Sequence, residues 1–326
     1  MSIIDSSNEN EFFTQSMDFF KKHLHKEWIF DIAKPCLIEP EIGIVFNSWG
    51  SYLYRSFNYY VIINYRNFSF HSWLRIILKR KTPEYDTIFS LRDTNEGNYW
   101  HFFDDQLSKL RFFDQLDLNA DTPVLVGKNL WNMHFFQYVI NHTGFKHYNW
   151  IQQTEIIRSK RTIIAVPSSL KKENFQFFLN KAAINLTTGT PRLLFVNRSL
   201  QRGRTISNIE EIKPVLHKYN IQLVENDNLS FADQMNIYKD ASLLIGIHGA
   251  GLVNLIYRMN KPTGLLEIFH PGTIHPHYVW MSKAFHFKYH CIVGSNVDAS
   301  GNFYIDPVLF EQKIKIFIKK ALLQPN

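Results

Sequence analysis

Cysteine is nearly absent: 326 residues contain only Cys36 and Cys291, far apart and without metal-ligand spacing. A disulfide framework and a zinc knuckle are both set aside, and two buried reduced thiols are expected. The opening stretch "MSIIDSSNENEFFTQ" lacks the basic-then-apolar layout of a secretory signal. No apolar run approaches the roughly 20 residues that a membrane-spanning helix needs. The expected location is therefore the cytoplasm. No repeat or low-complexity stretch appears, and no glycine cluster carries the G-x-G-x-x-G spacing of a dinucleotide fingerprint or the Lys-Ser/Thr of a P-loop.

What is present is apolar mass and positive charge. Hydrophobic residues make up 45% of the chain and aromatics 15%, enough for a large core, and the length fits two domains. The formal net charge of +7 points to anionic partners: nucleic acid, phosphorylated small molecules or an anionic membrane surface. Two stretches, "HSWLRIILKRK" (71–81) and "EQKIKIFIKKALL" (311–323), are basic and amphipathic. Each suits either a membrane face or a solvated helix over a core.

From residue 161 onward, short apolar runs alternate with helical patterns. Strands are expected at 161–167, 191–197, 221–226, 242–247, 264–269 and 288–294, with helices at 170–182, 208–219, 231–240, 251–258, 277–285 and 307–323. Near-continuous apolar strands alternating with helices require a parallel sheet covered on both faces, a Rossmann-like domain. Ser230 with Asp233, and Asn208 with Glu211, resemble capping boxes. Pro214 predicts a kink or a late start in its helix. The first half is less regular, with strands at 41–46, 59–65, 87–93 and 122–127 and helices at 8–24, 98–116 and 129–142. The expected division is an α/β domain over 1–160 and a second over 161–326, the last helix packing back on the first domain.

Ligands in open α/β sheets bind at the carboxyl ends of strands. After strand 191–197 comes "NRSLQRGRTISN", where Arg198, Arg202, Arg204 and Asn208 collect before a helix, an arrangement that suits a phosphate. After strand 242–247 comes "GIHGAGLVN", in which Gly249, Ala250 and Gly251 admit a ligand to the amides and His248 supplies a side-chain donor. Glu267 is an acid in an otherwise apolar strand, and ribose hydroxyls are one economical partner for it. His270, His275, His277, His286 and His290 match no zinc pattern, although they leave a metal-dependent hydrolase as an alternative. In "NYWHFFDDQLSKL" (98–110), His101 and Asp105 share one helix face, a workable general-base pair. Asp104 lies about a quarter turn away. Tyr59, Tyr60, Trp73, Trp100 and Phe102 are either sugar-stacking groups or core.

Together, "NYWHFFDDQLSKL", "NRSLQRGRTISN" and "LSFADQMNIYKDASLLIGIHGAGLVNLIYRMNKPTGLLEIF" resemble the successive motifs of glycosyltransferase family 61. Gln234, His248, Gly249, Ala250, Gly251, Leu252, Asn254 and Glu267 match in order, and the resemblance covers about residues 98–294. It implies the GT-B arrangement, two Rossmann-like domains facing each other across a cleft. A nucleotide-sugar, UDP- or GDP-linked, is held by Arg198, Arg204, Asn208, the 248–251 turn, Asn254 and Glu267. It further implies inverting transfer to a glycan hydroxyl with Asp105 or His101 as base, no cofactor and no obligatory metal; the chain has no Asp-x-Asp. Capsule or lipopolysaccharide assembly on an oligosaccharide or lipid-linked acceptor is the expected setting, at the inner face of the membrane, with no nucleic acid. Two departures stand out: Leu107-Ser108-Lys109 replaces the usual L-P-R, and Arg258 is unusual. A non-catalytic binder of anionic ligands or glycans is the remaining alternative.

Overall fold

The computed structural model describes residues 26–47, 82–93, 95–187, 189–198, 203–272 and 274–322, with the isolated positions 18, 74 and 78. The expected helix 8–24, the strand 59–65, the basic stretch 71–81 and Arg202 fall wholly or almost wholly outside these residues. So do Tyr59, Tyr60 and Trp73. Contacts divide the chain into two compact units, one of His25–Ile184 and one containing Asn185–Asn326.

The first unit is built on a mixed sheet in the order β3-β2-β7-β4-β5-β6. Its strands are β1 (Trp28–Ile32), β2 (Cys36–Ile38), β3 (Val45–Asn47), β4 (Glu84–Ser90), β5 (Pro123–Gly127), β6 (Asn149–Gln153) and β7 (Ile157–Val166). Strands β7, β4, β5 and β6 run parallel. The other edge of β7 pairs antiparallel with β2 over its first half and with β1 over its second. β7 thereby corrects the expected organisation. The run at 161–167 does not open the second sheet but completes the first, and the expected division at 160/161 falls inside this strand. Buried on both faces, "TIIAV" has the composition of the parallel strands that follow it, so only its pairing distinguishes them.

Helix α1 (residues 99–115) connects β4 to β5. It begins as one turn capped by Asn98, widens to a π-turn over Phe102–Gln106, tightens over Leu107–Lys109 and ends as a regular helix. Its rings are core. Phe102 is fully buried against Phe103, Phe135 and Phe136, and Trp100 packs edge-on to Phe175, so neither forms a sugar platform. The expected helix 129–142 is interrupted, forming α2 (Lys128–Trp131) and α3 (His134–His142), and α4 (Lys172–Ala182) follows β7.

The second unit carries a five-stranded, wholly parallel sheet ordered β12-β11-β10-β8-β9. Its strands are β8 (Arg192–Asn197), β9 (Gln222–Glu225), β10 (Ala241–Ile247), β11 (Gly264–Phe269) and β12 (Lys288–Val293). Numbered along the chain this is 2-1-3-4-5, the doubly wound order whose direction reverses between β8 and β10. Alternate residues of β10 serve opposite faces: Leu243, Ile245 and Ile247 enter a core with α5 (Ile209–Lys218) and α8 (Pro307–Leu322). On the other face Gly246 leaves room for Leu252, whose Cδ2 would lie 2.8 Å from a Cβ there. Between these elements lie α6 (Phe231–Tyr238), a 3-10 helix (Ala250–Arg258) and α7 (His277–Ala284). Ser230 caps α6 as expected. Asn208 makes no side-chain cap on α5, and that helix starts at Ile209 and runs through Pro214, without a late start.

Helix α8 inserts Phe310, Ile314 and Phe317 into the second unit's own core, the last two from the described part of the basic stretch 311–323. Phe317 is completely buried, against Gly264 and edge-on to His290 at 5.1 Å. Phe317→Ala is expected to lower unfolding stability by about 3–5 kcal/mol. Denaturant titration checks this, and a loss below about 1 kcal/mol would contradict the docking of α8.

Candidate functional site

Chemistry-bearing residues gather at the carboxyl ends of both sheets. In the first unit the chain order of the parallel strands doubles back at β7, which lies beside β4, and the loops after these two strands bring α1 and α4 together. Asp104, fully buried in the π-turn of α1, accepts from Ser169 Oγ at 2.5 Å, Leu170 N at 2.6 Å and Asn174 Nδ2. Burial first, and then the charge of Asp105, push its carboxyl up to about 6. Asp104 is thus an anchor between α1 and α4. Lys109, at the departure from L-P-R, is also buried and donates to Leu91 O, Arg92 O and Asp93 Oδ2, tying α1 to the end of β4.

Between these anchors lies the expected pair. His101 Nδ1 and Asp105 Oδ2 are 2.7 Å apart; the Asp105 side chain is 8% exposed and that of His101 29%. Burial works against charge on His101, but the field and hydrogen bond of Asp105, with Asp104 and Asp93 behind it, outweigh burial and raise the imidazole to about 9. Burial also holds Asp105 above the usual carboxylate range, against the pull of His101. The second carboxylate oxygen, Asp105 Oδ1, is buried and has no hydrogen-bond partner among the described residues. A buried, basic, half-satisfied carboxylate beside a protonated imidazole is equipped to accept a proton.

In the second unit a cavity of about 120 Å³ opens where β8 and β10 diverge. Arg198 and Asn197 line it from β8, Gly249, Ala250 and Gly251 from β10, and Asn226 with Asp227 from β9. Gly249 has extended backbone that any residue adopts, so its lack of a side chain serves another purpose. A Cβ there would collide with the Arg198 guanidinium, and one on Gly251 would come within 2.7 Å of Asn226 Nδ2. Both glycines therefore let polar groups press on the main chain. Tyr278 OH donates to Gly249 O at 2.6 Å and holds the turn from the other side.

Several expected ligand contacts are placed elsewhere. Glu267 is fully buried and both its oxygens are engaged, Oε1 with His248 Nδ1 at 2.5 Å and Oε2 with Tyr289 OH at 2.6 Å. Its partners are thus protein groups where ribose hydroxyls were expected: it orients His248, leaving Nε2 without a hydrogen bond among the described residues. Asn208 is spent on the backbone of Ile305, donating to its carbonyl and accepting from its amide. Asn254 is fully buried and donates to Gln234. Arg204, exposed and in left-handed backbone at φ +54°, does not line the cavity. Its charge acts on His270 and His275: burial first and then this field lower His270, while burial, the neighbouring His248 and then this field lower His275.

The histidines of the hydrolase alternative do not converge. His290 packs on Phe317 and His270 on Phe303, while His275 and His277 sit beside His248 with ring centroids 5.6 and 6.5 Å from it. Among the described residues no group of three or more His, Cys, Asp or Glu side chains is arranged to hold a metal ion. Nor is any helix among them long and apolar enough to cross a membrane. Asn226 and Asp227 are site residues that motif reading missed. Their signal was the polar "ENDN" closing a strand that the sheet order places beside β8.

Comparison with known proteins bears on this geometry. The profile of the family described as Glycosyltransferase 61 matches residues 99–266, just over half of the chain. The span runs from the start of α1 into β11 and so includes both constellations. An EGF domain-specific O-linked N-acetylglucosamine transferase of Drosophila melanogaster is 31% identical over 71 residues, which are 21% of this chain and 14% of that protein. The chain thus corresponds to a small part of the relative's length.

The His101 value carries a sign. Its folded-state pKa lies above the usual 6.5, so the pair contributes stability that is fully present below about 6.5 and lost as pH rises through about 9. NMR titration is expected to place the His101 midpoint near 9 in the native protein and well below that in Asp105→Asn. A midpoint unmoved by this substitution would contradict the ion pair.

Proposed function

This chain belongs to glycosyltransferase family 61, and on that premise we propose that it moves a sugar from a nucleoside diphosphate donor to a hydroxyl of a glycan acceptor. The observation that carries the reading is the cavity at the β8/β10 divergence, where Arg198 presses on a turn with no side chain in the way. Divergence points of this kind are where doubly wound sheets bind nucleotides. The GT-B arrangement implied by the family resemblance completes the proposal, with the donor on the second unit and the acceptor activated from the first.

The reaction is a single displacement with inversion. The acceptor hydroxyl gives its proton to Asp105 Oδ1 as its oxygen attacks the anomeric carbon, and the bond from that carbon to the diphosphate oxygen breaks. The electron pair leaves on the nucleoside diphosphate. Arg198 and the amides of residues 249–251 meet the growing negative charge, so no metal is required. Within the catalytic pair the base is the carboxylate, because an imidazole with a pKa of about 9 already carries its proton at neutral pH. His101 then keeps Asp105 in place and ionised. His248, oriented by Glu267, offers Nε2 at the edge of the glycine turn.

The relative's name makes N-acetylglucosamine the first donor sugar to test, with UDP and GDP as the first nucleotides. The net charge of +7 supports an anionic acceptor, and the proposed setting is capsule or lipopolysaccharide assembly at the inner face of the membrane.

Two substitutions separate the roles. Asp105→Asn is expected to lower transfer by about 10²–10⁴-fold while nucleoside diphosphate affinity is retained. Arg198→Ala is expected to weaken UDP or GDP binding by about tenfold or more, the size of a lost charged hydrogen bond. Steady-state kinetics and calorimetry check both. Near-normal turnover in the first variant removes Asp105 as base, and unchanged affinity in the second removes the diphosphate site.

A further inference from the structure

With Glu267 occupied, the ribose of a bound nucleotide needs another partner, and the cavity contains one. Resting on the donor site proposed above, we infer that Asn226 and Asp227, at the carboxyl end of β9, form the ribose-recognising edge of that site.

Position is the first ground. β9 is the neighbour of β8 on the side away from β10. Residues following it line the same cavity as Arg198 and the glycine turn. In doubly wound sheets the acid that reads a ribose hydroxyl stands beside the phosphate-binding turn, since the sugar is joined directly to the phosphate. Asp227 lines this cavity, whereas Glu267 is fully buried, bonded to His248 and Tyr289, and does not line it.

The surroundings of Asn226 are the second ground. Its side-chain oxygen accepts from Tyr238 OH at 2.6 Å, and Nδ2 lies on the side of Gly251. Its backbone carbonyl accepts from Gln234 Nε2 at 3.3 Å, and Asn254 Nδ2 donates to Gln234 Oε1 at 3.1 Å. Tyr238 is in turn bonded to Asn254. Gln234 and Asn254, both matched to the family motifs, are thus positioning residues whose network converges on Asn226. The edge then presents one oriented N–H donor and one carboxylate acceptor. Those are the complements of a vicinal diol, in which each hydroxyl both accepts and donates.

The test is calorimetric binding of UDP and GDP against their 2′-deoxy and 3′-deoxy forms, in the wild type, Asp227→Asn and Asn226→Asp, with melting temperatures as the folding control. The wild type is expected to favour a ribonucleotide over at least one deoxy form by about tenfold or more. Asp227→Asn should lose most of that preference, and Asn226→Asp should weaken ribonucleotide binding without lowering the melting temperature. A wild type that binds UDP or GDP without discriminating either hydroxyl, or a preference that survives Asp227→Asn, overturns this inference alone. A wild type that binds no nucleoside diphosphate overturns the donor site and this edge with it.

Discussion

The guanidinium of Arg198 occupies the space that a side chain on residue 249 would fill, at the mouth of the second unit's cavity. A positive charge against the main chain at the mouth of a parallel sheet is the arrangement that the proposed diphosphate site needs. Gly246 admits Leu252 of the 3-10 helix against β10, and Gly251 admits the Asn226 amide. Tyr278 holds the turn by its carbonyl. The three glycines of this stretch thus each answer a steric demand, and Gly249 does so with no unusual backbone angle.

The first unit solves a different problem: keeping carboxylates buried and usable. Asp104 is stabilised by a hydroxyl and a backbone amide after β7, so burial costs it less than it would cost an isolated charge. Asp105, one residue on, has the His101 imidazole on one oxygen and, among the described residues, no hydrogen-bond partner on the other. The π-turn brings these consecutive acids inward together, and Lys109 pins the turn that follows. An orphaned buried oxygen is destabilising, and a site that must receive a proton is where such a cost is expected.

Much of this was legible in the residues. The five parallel strands of the second unit announce themselves as short apolar runs because both faces are covered, and Gly249, Ala250 and Gly251 of "GIHGAGLVN" line one cavity with Asn197 and Arg198. What stayed hidden depends on pairing between distant segments. Glu267 reads as an acid in search of a partner, but the partners, His248 and Tyr289, come from flanking strands and are known only once the register is known. β7 reads as the first strand of the wrong sheet for the same reason. β6, "NWIQQ", is too polar to read as a strand, and the switch from α to π and 3-10 turns in α1 has no compositional mark. The acid expected to bind ribose and the acid that lines the cavity are different residues, and the order of strands tells them apart.

The central claim is that the glycine turn is bare so that Arg198 and a diphosphate can share it. Calorimetric titration of Gly249→Ala with UDP and GDP tests it most directly, since alanine adds one methyl group at the guanidinium and tolerates the extended backbone. The account predicts a loss of affinity of about tenfold or more, with a melting temperature close to that of the wild type. Wild-type affinity in the alanine variant would contradict it.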